Sequence, residues 1–192
     1  MWRPRRAHEL AHAQTAKAFG LPVRHIALTW FGGFAEFWVA PQSRWREAAI
    51  AFAGPAANLF LAALTFAVIE ALFTPQPAML MEQGGIFYLW YDPQYRAPAV
   101  QAALQKLAYF NLGIGLFNLL PGLPFDGGHI LRALLSARIS RGRASWIAAW
   151  AGVVFGVATI ALAFVIESLW MVAIGVFVVM SAWAERRRLR YD

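Results

Sequence analysis

The 192-residue sequence contains no cysteine, which excludes a disulfide scaffold and a cysteine-ligated zinc ribbon. Charge is scarce too: 14% of residues are Asp, Glu, Lys or Arg, against about 25% in an ordinary soluble domain. Hydrophobic residues make up 60%, above the roughly 45–50% of soluble domains, and mean hydropathy is +0.50. Low hydrophobicity is the signature of disorder, so a disordered chain is excluded. The opening Met1-Trp2-Arg3-Pro4-Arg5-Arg6 is basic, but no apolar core or small-residue cleavage site of a secretory signal follows it. No repeat or low-complexity segment is present.

The charge that exists is mostly positive: 17 Lys and Arg face 10 Asp and Glu, for a net charge of +7. Such an excess suits either a nucleic-acid surface or basic loops held on the cytoplasmic side of a bilayer. Four apolar stretches decide between them, since a span needs roughly 20 residues at 1.5 Å each. They run from about Ala48 to Phe73, Ala99 to Leu120, Ala144 to Ile166, and, shorter, Leu169 to Ala184. Arginines and lysines gather before the first stretch, between the second and third (Arg132, Arg138, Arg141, Arg143) and after the fourth (Arg186 to Arg188, Arg190). The loop after the first stretch carries only Arg96, and the turn Glu167-Ser168 carries no basic residue. This alternation predicts a polytopic, mainly α protein of about four transmembrane helices with both termini cytoplasmic. No nucleic-acid partner is expected. Trp45, Trp90, Trp146, Trp170 and Trp183 stand near the ends of the stretches, where interfacial aromatics collect. Residues 21–42 read as a β-hairpin with a turn signal at Gly32-Gly33, and 74–98, with Pro75, Pro77, Pro93 and Pro98, as an irregular loop.

Three local patterns carry chemistry. In His8-Glu9-Leu10-Ala11-His12 the imidazoles are spaced i, i+4, one turn apart on one helix face. Such a pair can chelate Zn²⁺, with Glu9 as general base on a metal-activated water. Ala7 to Phe19 lacks glycine and proline and stops at Gly20, as a helix should. A chance match on an amphipathic surface helix is the plain alternative. A catalytic zinc also needs a third protein ligand. His25 reads as a structural residue of the hairpin, and His129 as a weaker candidate ligand.

The second pattern is Asn118-Leu119-Leu120-Pro121-Gly122-Leu123-Pro124-Phe125-Asp126-Gly127-Gly128, where a carboxylate follows directly on an apolar span. A charge at membrane depth is costly and marks a functional site by default. Its alternative is a carboxylate capping the next helix. Two spans separate His12 from Asp126, so both lie toward one side of the bilayer, which favours a His8–His12–Asp126 site. The third pattern is Gly54-Pro55-Ala56-Ala57-Asn58, which puts a lone amide within the first span; it suits either helix packing or substrate contact.

Together these patterns resemble the site-2 protease family of intramembrane zinc metalloproteases, peptidase family M50. The family pattern is HExxH, then G-x3-N/S/G, then N-x-x-P-x-x-x-L-D-G. It is matched at His8, Glu9, His12, Gly54, Asn58, Asn118, Pro121, Asp126 and Gly127, with Phe125 in place of the usual Leu. The resemblance covers roughly residues 7–135. It implies that His8, His12 and Asp126 ligate Zn²⁺, that Glu9 activates water, and that Asn118 and Asn58 position the scissile peptide or its oxyanion. The implied substrate is a transmembrane helix of another membrane protein, cleaved in the inner cell membrane, with the hairpin edge accepting the unwound segment by strand addition. The expected organisation is a single membrane-embedded metalloprotease domain over 1–192: zinc helix 7–20, hairpin region 21–42, core spans 48–135 and a C-terminal helical pair 144–184. In the family the zinc helix continues upstream into apolar sequence, whereas seven residues precede His8 here. The other functions weighed are a catalytically impaired relative that binds transmembrane helices as a regulator, and a metal transporter using the same ligands.

Overall fold

The computed structural model describes residues 4–21, 23–29, 32–37, 43–73, 79–83, 86–90 and 98–188. Six helices carry the fold: α1 (Pro4–Ala18), α2 (Arg44–Leu72), α3 (Ala99–Asn118), α4 (Asp126–Leu135), α5 (Arg141–Val165) and α6 (Leu169–Arg188). Strands β1 (Val23–Thr29) and β2 (Gly32–Phe37) pair antiparallel between α1 and α2, and β3 (Met79–Gln83) pairs with β4 (Ile86–Trp90) between α2 and α3. Gly32 and Gly33 lie opposite Thr29 and Leu28 and so open β2 instead of forming the expected turn. The segment read as an irregular loop holds the β3–β4 pair. All four prolines flank this pair, which leaves two proline-free runs separated by Gly84-Gly85, a two-residue hairpin signal.

Helix α2 is the hub, packing against α1, α3 and α4, while α4 leans on α5 and α5 on α6. Among the described residues, α2 and α5 are long and apolar enough to cross a membrane, and α6 contains a shorter apolar stretch, Leu169–Ala184. The distribution of side-chain sizes fits that reading. The buried hydrophobic positions are mostly alanine: Ala62, Ala108, Ala144, Ala148, Ala163 and Ala182 are among them. The large apolar side chains of Phe60, Leu72, Phe164, Val165, Leu169 and Trp170 point outward, each at least 67% exposed. A soluble monomer does not display so much contiguous apolar surface. Helices in lipid gain nothing by hiding leucine from their solvent, so small residues take the contacts and allow close approach.

Between α3 and α4 the chain is irregular. Pro121 and Pro124 cannot donate backbone hydrogen bonds, and the Leu123–Pro124 peptide is cis. The segment is fixed by docking on α5: the Leu123 N–H donates to the Ala148 carbonyl at 3.0 Å, and the Leu123 side chain is fully buried against Ala148 and Ala149. That anchorage sets where α4, and with it Asp126, begins.

Candidate metal centre

Helix α1 starts with Pro4, a residue suited to a first turn, and stops at Gly20, whose φ of +75° is open to glycine at little cost. Gly20 N–H bonds the Lys17 carbonyl and Leu21 N–H the Ala16 carbonyl, a Schellman closure. Within this helix His8 and His12 share a face, their rings 4.7 Å apart and edge to face. The face is turned into the bundle: His8, Glu9, His12, Ala13 and Ala16 are all buried.

Asp126 meets them from a segment 118 residues away from His8. Phe125, not Asp126, occupies the N-cap of α4, and Asp126 lies in its first turn without a capping role. Its Oδ2 lies 3.1 Å from His8 Nε2 and 3.4 Å from His12 Nε2, and the two Nε2 atoms are 3.1 Å apart. The Nδ1–H of His12 donates to the Ile50 carbonyl of α2 at 2.6 Å. A carbonyl only accepts, so this bond fixes the tautomer and leaves the Nε2 lone pair facing the cluster.

The residues present fit a zinc ion. Ligands about 2.0–2.1 Å from the centre of a tetrahedron stand about 3.3 Å from one another, and the three edges here are 3.1, 3.1 and 3.4 Å. The fourth wall is Gly54. A Cβ there would stand 2.6 Å from His12 Cε1 and 2.7 Å from His8 Nε2. The space that a side chain at 54 would fill is the space beside the ligand atoms. Without the ion, burial opposes ionisation of Asp126, but its hydrogen bonds to His12 and His8, with their charges, outweigh burial and hold the carboxyl down at about 2. Burial likewise opposes protonation of His12, but its hydrogen bond to Asp126, the charge of Asp126, the Ile50 bond and the charge of Glu9 together outweigh that penalty, so its pKa is raised.

Of the residues singled out from sequence, His8, His12 and Asp126 converge. Glu9 is buried in the same helix turn, near enough for its charge to act on His12. Asn58 stands one turn beyond Gly54 on α2, fully buried, with neither its Oδ1 nor its Nδ2 partnered among the described residues. Asn118 is half-buried at the end of α3, and its amide donates to the Ile114 carbonyl at 3.0 Å. His129 Nδ1 is 3.1 Å from Arg132 Nη2, and His129 is not part of the ligand cluster. The side chain of His25 lies outside the described residues. Sequence reading missed Glu47, which is buried in the first turn of α2. It accepts from Arg132 Nε and from Arg141 Nη2, each at 2.8 Å, and so ties α2 to α4 and α5 just behind the cluster. The available signal was a lone acid among Arg44, Arg46 and an apolar run.

Two imidazoles from one helix and a carboxylate returned from a distant turn, all set against apolar helices, form a group that could hold a metal ion. The chain belongs to peptidase family M50, which it matches over residues 6–163. It is 33% identical over 95% of its length to Rip3 of Mycobacterium tuberculosis, a protein provisionally named a zinc metalloprotease. A zinc metalloprotease of Methanocaldococcus jannaschii is 27% identical over 94% of this chain. The chain spans under half of these curated relatives, 44% and 46% of their lengths. Its fold is similar to that of the site-2 protease from Methanocaldococcus jannaschii, with a TM-score of 0.68 and 26% identity over 95% of this chain and 74% of that one.

Proposed function

We propose that this protein is an intramembrane zinc endopeptidase that hydrolyses a peptide bond in or near a transmembrane helix of a membrane-protein substrate. The observation that carries the reading is the convergence of three ligand-type atoms at zinc-ligand spacing, with both imidazoles packed against Gly54 where a side chain would collide with them. In this reading His8, His12 and Asp126 hold the ion, which when bound polarises water and the scissile carbonyl. Glu9 takes a proton from the attacking water and delivers it to the leaving amine as the C–N bond breaks, leaving a carboxylate and a free amine. Asn58 and Asn118 hold the substrate backbone and the developing oxyanion; the amide of Asn58, unpartnered among the described residues, supports this, since a buried polar group without a partner is costly unless something binds it.

The proposal extends to topology and domain layout. Four spans, α2, α3, α5 and α6, cross the inner cell membrane within one domain over 1–192, and both termini are cytoplasmic. The arginines of 132–143 and 186–190 support that orientation. A helical peptide bond is shielded, so the substrate must unwind locally, and the edge of the β1–β2 pair takes the unwound segment as an added strand.

The test uses the full chain purified with zinc and reconstituted with peptides bearing a transmembrane helix, the products being read by mass spectrometry. Zinc-dependent internal cleavage is expected, and Glu9→Gln should abolish it while zinc remains bound. An unaltered, zinc-loaded protein that binds helices without cutting any of them would replace this reading with a helix-binding regulator. Zinc flux into sealed liposomes would replace it with a transporter.

A further inference from the structure

A second site lies where α2 and α5 begin. Ser43, Arg44, Trp45, Ser136 and Arg141 line an open cleft of about 400 Å³, within the range of about 300–1,000 Å³ that small ligands occupy. Its chemistry is cationic. Arg44 and Arg141 line it; Arg141 is paired with Glu47, so Arg44 leaves the cleft a positive excess. Ser43 and Arg44 at the start of α2 and Arg141 at the start of α5 put the positive ends of two helix dipoles beside these guanidinium groups.

The level of the cleft along the helices is informative. Arg44 and Arg141 immediately precede the apolar runs that start at Ala48 and Ala144, so the cleft stands where both helices leave the hydrocarbon. Trp45, at its rim, is 64% exposed, as suits an indole resting among headgroups. Basic pockets between membrane helices on the cytoplasmic side are suited to phosphate-bearing headgroups.

We infer that this cleft binds the phosphate of an anionic ligand, supplied by a lipid headgroup in the membrane. Arg44 and Arg141 would grip the phosphate oxygens by charge-assisted hydrogen bonds while Trp45 packs on the glycerol and upper acyl region. The inference does not depend on catalysis.

The experiment is native mass spectrometry of the zinc-loaded full chain in a neutral detergent. The protein is offered equal amounts of phosphatidylglycerol and phosphatidylcholine with the same acyl chains. One phosphatidylglycerol should be retained in preference to phosphatidylcholine. Arg44→Gln should weaken retention about fivefold, the worth of one basic side chain at an anionic surface, and Arg44→Lys should restore most of it. Arg44 is exposed, so neither change should disturb the fold. Lys106→Gln, which removes an exposed charge on α3, should leave retention unchanged. Millimolar inorganic phosphate that displaces the lipid and appears as an adduct lost in Arg44→Gln would keep the phosphate site but assign it to the free anion. No preference for phosphatidylglycerol, or equal losses in Arg44→Gln and Lys106→Gln, would overturn the inference.

Discussion

Gly54→Ala is the smallest change that tests the metal centre. The added methyl would stand 2.6 Å from His12 Cε1 and 2.7 Å from His8 Nε2, where ordinary contact begins near 3.4 Å. The rings must therefore withdraw by at least about 0.7–0.8 Å, and His12 Nε2, which stands closer still, by more; either is several times the tolerance of about 0.2 Å on a zinc–ligand distance. Helix α2 cannot give way instead. Helix α3 is already close to it, since even a Cβ at Gly115 would be 3.3 Å from the Pro55 carbonyl oxygen. Loss of an outer partner of a zinc ligand costs about 10–100-fold in affinity; displacing two ligands should cost more than about 100-fold on the same scale. The metal-free protein should lose some stability as well, because the displaced imidazoles strain the His12–Ile50 hydrogen bond and the contacts to Asp126, partly offset by the preference for alanine over glycine in a helix interior, about 1 kcal/mol. The assay is competition for zinc against a chromophoric chelator, paired with thermal unfolding of the metal-free form. Wild-type zinc affinity in Gly54→Ala would refute the placement of the ion. Metal-free stability at or above that of the wild type would refute the account of the flank.

Four further outcomes are expected. Glu47→Gln leaves Arg132 buried without its counter-charge and should destabilise the fold by about 3 kcal/mol, the lower end for a broken buried pair because Arg141 is half exposed; thermal melts in detergent measure it. Leu123→Ala should cost about 2–5 kcal/mol as a large-to-small change at a fully buried site, and should weaken zinc binding because Leu123 anchors the turn that carries Asp126; melts and the chelator titration read both effects. Zinc occupancy should fall as pH falls, because a protonated imidazole cannot ligate, and the raised pKa of His12 in the metal-free form makes protons compete from above pH 6.5; dialysis at stepped pH followed by metal analysis checks this. In the metal-free protein the linkage has a different shape. The contribution of His12 is present below 6.5 and lost as pH rises through its raised pKa, while that of Asp126 is present above 3.8 and lost toward about 2. Stability from this pair should therefore be greatest between about pH 4 and 6.5, and melting temperatures across that range would show it.

The cluster of His8, His12 and Asp126 was legible because each member leaves a local mark. His8 and His12 are tied by helical periodicity alone, and Asp126 stands out as a charge beside prolines and glycines that no lipid-facing helix would keep. The count of spans between them then put both on one side. What sequence could not give is pairing across distance without a period. Glu47 finds Arg132 and Arg141 at separations of 85 and 94 residues, and nothing in the intervening pattern selects those arginines from their neighbours. The β3–β4 pair was masked by its flanking prolines, which read as a loop when they delimit one. Gly54 was readable as a place of close approach; that the approaching atoms are ring nitrogens depends on how α1 crosses α2.

That crossing is itself held mostly by polar atoms. Among the described side chains of α1, the buried apolar ones are Ala13 and Ala16, single methyl groups that each contribute little, on the order of 1 kcal/mol. Its polar attachments include the His12–Ile50 hydrogen bond and the approach of both imidazoles to Asp126. A helix so weakly fastened by apolar burial takes its position from the group that satisfies its buried imidazoles, and His8 Nδ1 still lacks a partner among the described residues. Ion binding and the docking of α1 on α2 and α4 are therefore one free-energy term, because the ligands come from both sides of that interface. Asp126 reaches the interface only through the Leu123 anchor on α5, and α4 is held in place by Glu47. The metal centre thus reports the packing of four helices, which is why changes as far away as Leu123 and Glu47 should be felt at the ion.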